Sequence, residues 1–191
     1  MKGLVVLTIM ALVLVPVALA QNHGEIGAFG EYFRLHQAGD LNFVGVGGRA
    51  SVNLSTHIAM EGEMGYDFER TFNNVFSNGI TFTTARSSLS LLHGLFGPKI
   101  QTGGGALRAF LTAKGGFLNF RGNAPAATFG AFTGQVEAVP VGDTNGAMFA
   151  GGGVEGFLGP VGLRLDIGDE IYWDNGANHN LKITLGPHIR F

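Results

Sequence analysis

The chain has 191 residues, no cysteine, 32 glycines and a formal net charge of −2. This length suits one domain, and without cysteine neither a disulfide framework nor a lipid anchor on an N-terminal cysteine is expected. The charges form no basic stripe, so we expect no nucleic-acid partner.

The N-terminal segment predicts a secretory signal peptide. Lys2 precedes an apolar run from Gly3 to Val17, and the small residues Ala18 and Ala20 supply the cleavage pattern. We therefore expect residues 1–20 to be removed and residues 21–191 to form a single domain. A retained membrane anchor is the alternative, but the run is barely long enough to span about 30 Å of hydrocarbon.

The rest of the chain is dominated by alternation of apolar and polar residues over segments of about ten residues, which is typical of two-faced strands. Four segments show this clearly, and they are residues 44–54, 58–68, 161–173 and 180–191. Four weaker segments at 25–36, 89–102, 107–121 and 147–158 bring the count to eight. Pro187 interrupts the last strand because it has no backbone N–H to donate to a neighbouring strand. It therefore requires a bulge or a position near the rim of the barrel.

The predicted connections alternate between short and long. Short turns follow Leu54, Gln101 and Leu158, whereas long stretches run from about Arg70 to Arg86 and from Gly122 to Gly146. Short turns on one side and long loops on the other predict an all-β fold, an eight-stranded antiparallel transmembrane β-barrel with both termini in the periplasm. Closure is required in lipid, where an open sheet edge would leave unpaired backbone groups at several kcal/mol each.

The alternation also predicts which side chains face the lumen. An eight-stranded barrel is only wide enough to be filled by side chains, so charges of both signs are expected to pair across it. The predicted lumen charge network is Arg49, Glu61, Glu63, Arg108, Lys114, Glu155, Arg164, Asp166, Lys182 and Arg190. We expect the aromatic residues near strand ends to form girdles at the membrane–water interfaces. These residues are Tyr66, Phe68, Tyr172, Trp173 and Phe191.

In these features the chain resembles the small eight-stranded outer-membrane proteins of Gram-negative bacteria, the OmpA-type and OmpX-type barrels. The resemblance covers residues 21–191 and rests on the cleavable signal, the strand rhythm, the size and the terminal aromatic. It implies that the barrel assembly machinery reads the C-terminal residues, with Leu185, Ile189 and Phe191 as the assembly signal. It also implies contact with outer-membrane lipids. No peptidoglycan-binding domain follows the barrel, unlike in full-length OmpA.

Several motifs were weighed for chemistry, and none predicts a catalytic, cofactor or metal site. Gly151, Gly153 and Gly156 match a dinucleotide-binding pattern, but no helix is expected after them. The six histidines lack metal-ligand spacing. Ser87, Ser88, Ser90 and His93 suggest a lipid-modifying Ser and His pair, although their spacing fits no such motif known for outer-membrane barrels.

The sequence therefore predicts an outer-membrane protein that is not an enzyme and that acts in structure, adhesion or surface recognition through extracellular loops. The two long stretches are the candidate contact surfaces for an extracellular ligand. A narrow porin-like pore with Glu61, Glu63 and Arg164 along its path is the first alternative. A soluble periplasmic barrel of lipocalin type is the second, and it requires the apolar face to point inward.

Overall fold

The computed structural model describes residues 23–36, 41–77, 82–123 and 142–191. Eight antiparallel strands make up the fold, and they are β1 (Gly24–Leu35), β2 (Leu41–Asn53), β3 (Ile58–Ser77), β4 (Phe82–Gln101), β5 (Leu107–Asn123), β6 (Thr144–Leu158), β7 (Val161–Trp173) and β8 (Ala177–Arg190). Each strand pairs with the next and β8 pairs with β1, so the sheet closes. The predicted eight-stranded barrel is confirmed. The predicted signal peptide, with Ala18 and Ala20, lies outside the described residues.

The two faces of the barrel wall have opposite character. In β7 the apolar residues Leu163, Leu165 and Ile167 point outward and are exposed, whereas Arg164 and Asp166 between them are buried in the lumen. The same pattern recurs around the barrel, so that large apolar side chains cover its outer surface. A soluble lipocalin-type barrel requires the reverse arrangement, and that alternative is wrong. An apolar outside around a polar inside is the arrangement of a transmembrane barrel.

The connections define the two ends of the barrel. Residues 54–57, 102–106 and 159–160 are short turns on the side where both β1 begins and β8 ends. We call this side the periplasmic end and the opposite side the extracellular end. The described part of the chain has no helix long and apolar enough to cross a membrane.

The β3–β4 connection differs from the sequence prediction. Residues from Arg70 to Arg86 were expected to form a loop, but most of them extend the two strands, which pair from Arg70 with Leu89 to Ser77 with Phe82. A register shift between Asp67 and Arg70 marks the point where this extension begins. We call residues 70–77 and 82–89 the hairpin extension.

The seam between β1 and β8 closes the barrel and accommodates Pro187. Pairing runs from Glu25 with Arg190 to Arg34 with Leu181, and it is interrupted only opposite Gly186 and Pro187. At Gly186 the carbonyl oxygen of Ala28 approaches so closely that an added Cβ would stand 1.9 Å from it. Glycine is therefore required there, and Pro187 lies close to the periplasmic end, where its missing donor is tolerated.

Candidate functional site

The extracellular half of the lumen is filled by apolar side chains. Phe33 and Leu35 of β1 meet residues of β2, β4, β5, β6 and β7 in one buried cluster. We call this cluster the apolar plug, and its members are Phe33, Leu35, Phe43, Leu89, Leu91, Leu95, Leu118, Phe120, Ala147, Phe149 and Tyr172. Within it the rings of Phe120 and Tyr172 stand edge to face, with centroids 5.1 Å apart.

The periplasmic half of the lumen is filled by ion pairs. Strand register aligns Arg108 of β5 with Glu155 of β6, and Glu155 with Arg164 of β7, so opposite charges lie side by side on the inner wall. Lys99 Nζ reaches across to Glu25 at 3.1 Å and to Glu155 at 2.8 Å. The Arg108 guanidinium also donates to Glu25 Oε1 at 2.7 Å. We call Glu25, Lys99, Arg108 and Glu155 the lower cluster.

Arg164 is the hub of a middle cluster in the lumen. Its guanidinium donates to both carboxylate oxygens of Glu61, in the forked geometry that favours arginine over lysine, and to Asp166 at 2.7 Å. Asp166 also pairs with Arg49. Lys114 joins this cluster to the next by contacting Glu61 at 2.5 Å and Glu63 at 2.6 Å.

The upper cluster lies directly beneath the apolar plug and is centred on the buried side chains of Lys182 and His93. Lys182 Nζ stands 2.9 Å from Glu170, 3.2 Å from Glu63 and 3.3 Å from Glu31. His93 Nδ1 lies 2.6 Å from Glu170 and its Nε2 lies 2.8 Å from Asp67. The ring of Phe33 in the plug stands edge to face with the His93 ring.

The structure brings nine of the ten predicted lumen charges together, and it places Arg190 elsewhere. Arg190 is half-buried at the periplasmic end, where it donates to the carbonyl oxygen of Gly159 at 3.0 Å and stacks on Phe157. Six further ionisable residues complete the network without having been predicted, and they are Glu25, Glu31, Asp67, His93, Lys99 and Glu170. Alternation places each of them on the inner face. The signal was blurred for Glu25, Glu31, His93 and Lys99 in the weaker strands β1 and β4, whereas Asp67 and Glu170 lie in clearly alternating strands and were left out of the predicted network.

Together the plug and the ion pairs occupy the described lumen. A gap of about 170 Å³ remains beside Glu25, Arg49, Glu61, Arg164 and His188, and it is nowhere wide enough for a water molecule. The buried plug and ion pairs around this gap leave no water-filled space there. This arrangement does not support the porin-like alternative.

The outer surface carries a belt of exposed apolar residues with aromatics toward the extracellular end. Tyr66, Phe68 and Trp173 point outward, as predicted for a girdle. Tyr172 does not, because alternation turns its ring into the plug, where it is fully buried. Near the same level Asp169 faces outward and contacts His179 Nδ1 at 2.5 Å, which gives this acidic residue a polar partner.

Ser90 and His93, which the sequence suggested as a lipid-modifying pair, are not brought together. Ser90 lies on the opposite side of the β4 wall from His93, and its hydroxyl donates to the carbonyl oxygen of Arg121 at 3.2 Å. His93 is enclosed by carboxylates in the lumen, out of reach of a lipid bond. Gly151, Gly153 and Gly156 lie within β6, which runs through a two-residue turn into β7 and not into a helix.

The C-terminal residues seal the β1–β8 seam at the periplasmic end. The Phe191 amide donates to the carbonyl oxygen of Gly24, and the Phe191 carbonyl accepts from His23 and Gly24. The phenyl ring of Phe191 packs over Gly24, where an added Cβ would meet it at 2.8 Å. Leu185 and Ile189 face outward from β8 and are about half exposed.

Comparison with known proteins gives a likeness in fold and none in sequence family. No protein-family model matches the chain. No curated protein matches it either. Ail, the attachment invasion locus protein of Yersinia pestis, solved with the heparin analogue sucrose octasulfate, has a TM-score of 0.52 at 12% identity, covering 88% of this chain and 96% of Ail. Neisserial surface protein A has a TM-score of 0.54 at 9% identity, covering 90% of this chain and 99% of that protein.

These likenesses and the apolar belt define the class of protein. The chain folds as a small eight-stranded β-barrel of the outer-membrane type, similar to Ail and Neisserial surface protein A. Its outer surface contacts membrane lipid, and its connections at one end face the outside of the cell. At such low identity the likeness extends to the fold alone.

Proposed function

We propose that this outer-membrane barrel is not an enzyme and that it recognises an extracellular ligand through its hairpin extension and its β5–β6 connection. The closed lumen is the observation that carries this proposal. In the described part of the chain the apolar plug and the ion pairs fill the barrel interior, which favours the extracellular end as the place where a partner binds.

The hairpin extension supplies a suitable surface. In the described part of the chain, residues 70–77 of β3 pair with β4 but not with β2, and residues 82–87 of β4 pair with β3 but not with β5. Eight residues of strand reach about 25 Å, so the extension projects well beyond the rest of the wall. Within the described residues, neither edge of residues 72–77 and 82–87 pairs with β2 or β5, so these edges offer backbone donors and acceptors that an extended segment of a partner can use.

The β5–β6 connection supplies a second surface on the same end. Residues 124–141 lie outside the described residues, and their sequence combines Phe129, Phe132, Val136 and Val139 with glycine, alanine and threonine. Aromatic and aliphatic side chains on an extracellular connection are suited to contact with another molecule. The two surfaces together form the proposed recognition face.

A vesicle-binding experiment tests the proposal. Outer-membrane vesicles carrying the wild type, a variant lacking residues 71–87 or a variant lacking residues 124–141 are applied to surfaces coated with heparin, neutral dextran or extracellular-matrix protein. Heparin is included because the structure of Ail, which is similar in fold, holds a heparin analogue. Thr56→Ala in a periplasmic turn serves as the control.

We expect the wild type and the Thr56→Ala variant to bind at least one surface and each deletion to reduce that binding strongly, while all four proteins insert equally. Binding that survives both deletions would contradict the proposal. Wild-type vesicles that bind no surface better than barrel-free vesicles would also contradict it.

A further inference from the structure

The upper cluster contains three potential metal ligands that converge from three strands. Glu31 of β1, Asp67 of β3 and His93 of β4 are buried, and each offers an atom within 4.8 Å of the atoms offered by the others. His93 Nε2 lies 2.8 Å from an Asp67 oxygen and 3.3 Å from a Glu31 oxygen. In a tetrahedral zinc site with bonds of about 2.0–2.2 Å, neighbouring ligand atoms stand about 3.3–3.6 Å apart. We propose that Glu31, Asp67 and His93 bind one divalent transition-metal ion, with zinc as the best fit.

Unsatisfied oxygens in the cluster indicate that a cation belongs there. Neither oxygen of Glu31 accepts a hydrogen bond, and Asp67 Oδ1 accepts none. The side chain of Glu31 is fully buried, and His93 Nε2 and Lys182 Nζ each stand 3.3 Å from one of its oxygens. Leaving a buried carboxylate without hydrogen bonds is costly. A metal ion bonded to these oxygens removes that cost.

The barrel wall leaves space for these carboxylates at two inward-facing glycines. An added Cβ at Gly45 would lie 2.5 Å from Asp67 Oδ1, and one at Gly65 would lie 3.0 Å from Glu31 Oε2. Both glycines therefore allow the acidic side chains to lie flat against the wall and turn toward His93. The backbone is shaped to hold the two carboxylates in place.

Glu170 positions His93 for metal binding. Its carboxylate lies 2.6 Å from His93 Nδ1, so it accepts a hydrogen bond from Nδ1–H. This tautomer leaves the lone pair of Nε2 directed toward Glu31 and Asp67. A carboxylate that accepts from the second ring nitrogen is the common outer partner of metal-binding histidines. Glu170 is thus a positioning residue in this proposal.

The charge balance of the lumen fits one divalent ion. Eight carboxylates are buried in the described lumen, against six lysine and arginine side chains. Counted over carboxylates, lysines and arginines alone, the excess is two negative charges, which a single divalent cation neutralises. A protonated His93 in place of a metal would neutralise only one of them. This second arrangement is the outcome that the experiment below has to exclude.

The three ligand side chains favour zinc over calcium or magnesium. The charges around them also favour a metal ion in the upper cluster over one in the lower cluster. One imidazole with two carboxylates suits zinc, whereas calcium takes six to eight oxygen ligands and magnesium keeps several waters. Glu25, Glu155 and His188 form a second group of potential ligands. Glu25 and Glu155 are each contacted by both Lys99 and Arg108, whereas Glu31 is contacted by Lys182, so a metal ion would be repelled more strongly in the lower group.

Zinc stoichiometry of the folded barrel tests the proposal. The mature protein is folded in detergent with equimolar zinc chloride, desalted, and analysed for metal by plasma emission. We expect one zinc per barrel in the wild type and in His179→Gln, whose histidine is exposed on the outer face, and none in His93→Gln. Glu170→Gln is expected to weaken zinc binding by about 10–100-fold. Magnesium and calcium chloride are expected to leave no bound metal.

Thermal unfolding of Glu31→Gln supplies a second test that does not depend on His93→Gln folding. In excess chelator this variant is expected to be at least as stable as the wild type, because it removes a buried negative charge with no hydrogen bond. Added zinc is expected to raise the unfolding temperature of the wild type and not that of the variant. A wild type that retains no zinc would overturn the proposal in favour of a protonated His93. Zinc retained by His93→Gln, or lost only in His188→Gln, would overturn the assigned site.

Discussion

At the scale of single residues, the lumen depends on the balance of a few buried charges. Arg164 faces Glu61, Asp166 and Glu155, and no other cation in the described lumen touches all three. A buried ion pair contributes little net stability compared with an apolar pair, but removing one partner leaves the other charge uncompensated. The network therefore makes the barrel sensitive to single charge deletions.

Replacing Arg164 by methionine is expected to destabilise the barrel by about 3–5 kcal/mol, the usual cost of breaking a buried pair from one side. The change is measured as the free energy of unfolding in urea, with the protein in lipid vesicles. Arg121→Met, on an exposed residue, is the control and should change this free energy by less than about 0.5 kcal/mol. A loss of under 1 kcal/mol in Arg164→Met would show that the network does not form as described.

A charged side chain placed on the lipid-facing surface is expected to lower the free energy of unfolding by an amount that depends on its depth in the membrane. Leu165 points outward from the middle of β7, whereas Leu107 points outward at the periplasmic end of β5. Leu165→Lys should cost about 2–4 kcal/mol of unfolding free energy and Leu107→Lys about 0–1 kcal/mol, as found for charges at the midplane and the interface. The same urea measurement compares them. Equal costs would mean that the outer face of β7 is not in the hydrocarbon.

At the scale of elements, strand β8 closes the barrel and ends on the proposed assembly signal. Phe191→Ala is expected to lower the folded yield from assembly in cells, because it removes the terminal ring that packs on Gly24. The heat-modifiable fraction, compared between boiled and unboiled gel samples, measures this yield. Phe96→Ala removes the same ring from an outward-facing position of β4 and should preserve the yield. An equal loss in both variants would assign the effect to lipid contact and not to the chain end.

The hairpin extension is expected to fold with the barrel without stabilising it. Among the described residues, 72–77 and 82–87 pair with each other and not with β2 or β5, so replacing residues 71–87 by an Asn-Gly turn should leave the thermal unfolding temperature within about 2 °C of the wild type. Circular dichroism in detergent measures it. A large drop would show that the extension supports the wall.

Some strands are predicted by their sequences better than others. The difference depends on whether the two faces of a strand have different surroundings. Strand β7 alternates clearly because lipid lies on one side and ion pairs lie on the other. Strand β4 does not, because Leu89, Leu91 and Leu95 face the plug while apolar residues also face lipid, and this concealed the inward positions of His93 and Lys99. The hairpin extension was predicted as a loop because its sequence shows no clear alternation of apolar and polar residues.

At the scale of the whole molecule, the barrel is divided into an apolar outer belt, a charged lower lumen and an apolar upper lumen. The closed barrel and most of its lumen charges followed from the sequence, because strand period and chain closure are strong constraints. The division of the lumen did not, since it depends on which residues of distant strands lie at the same height. Tyr172 illustrates this limit, because an aromatic near a strand end fits a girdle and a plug equally well.

The central claim is that the lumen is sealed and that the protein acts through its extracellular end. Recording the ion conductance of the wild-type protein in planar lipid bilayers tests this claim most directly. We expect no steady conductance, because the plug and the ion pairs fill the described lumen. A stable open channel in the wild type, altered by neutralising Glu61, Glu63 or Arg164, would contradict the account and establish the porin-like alternative.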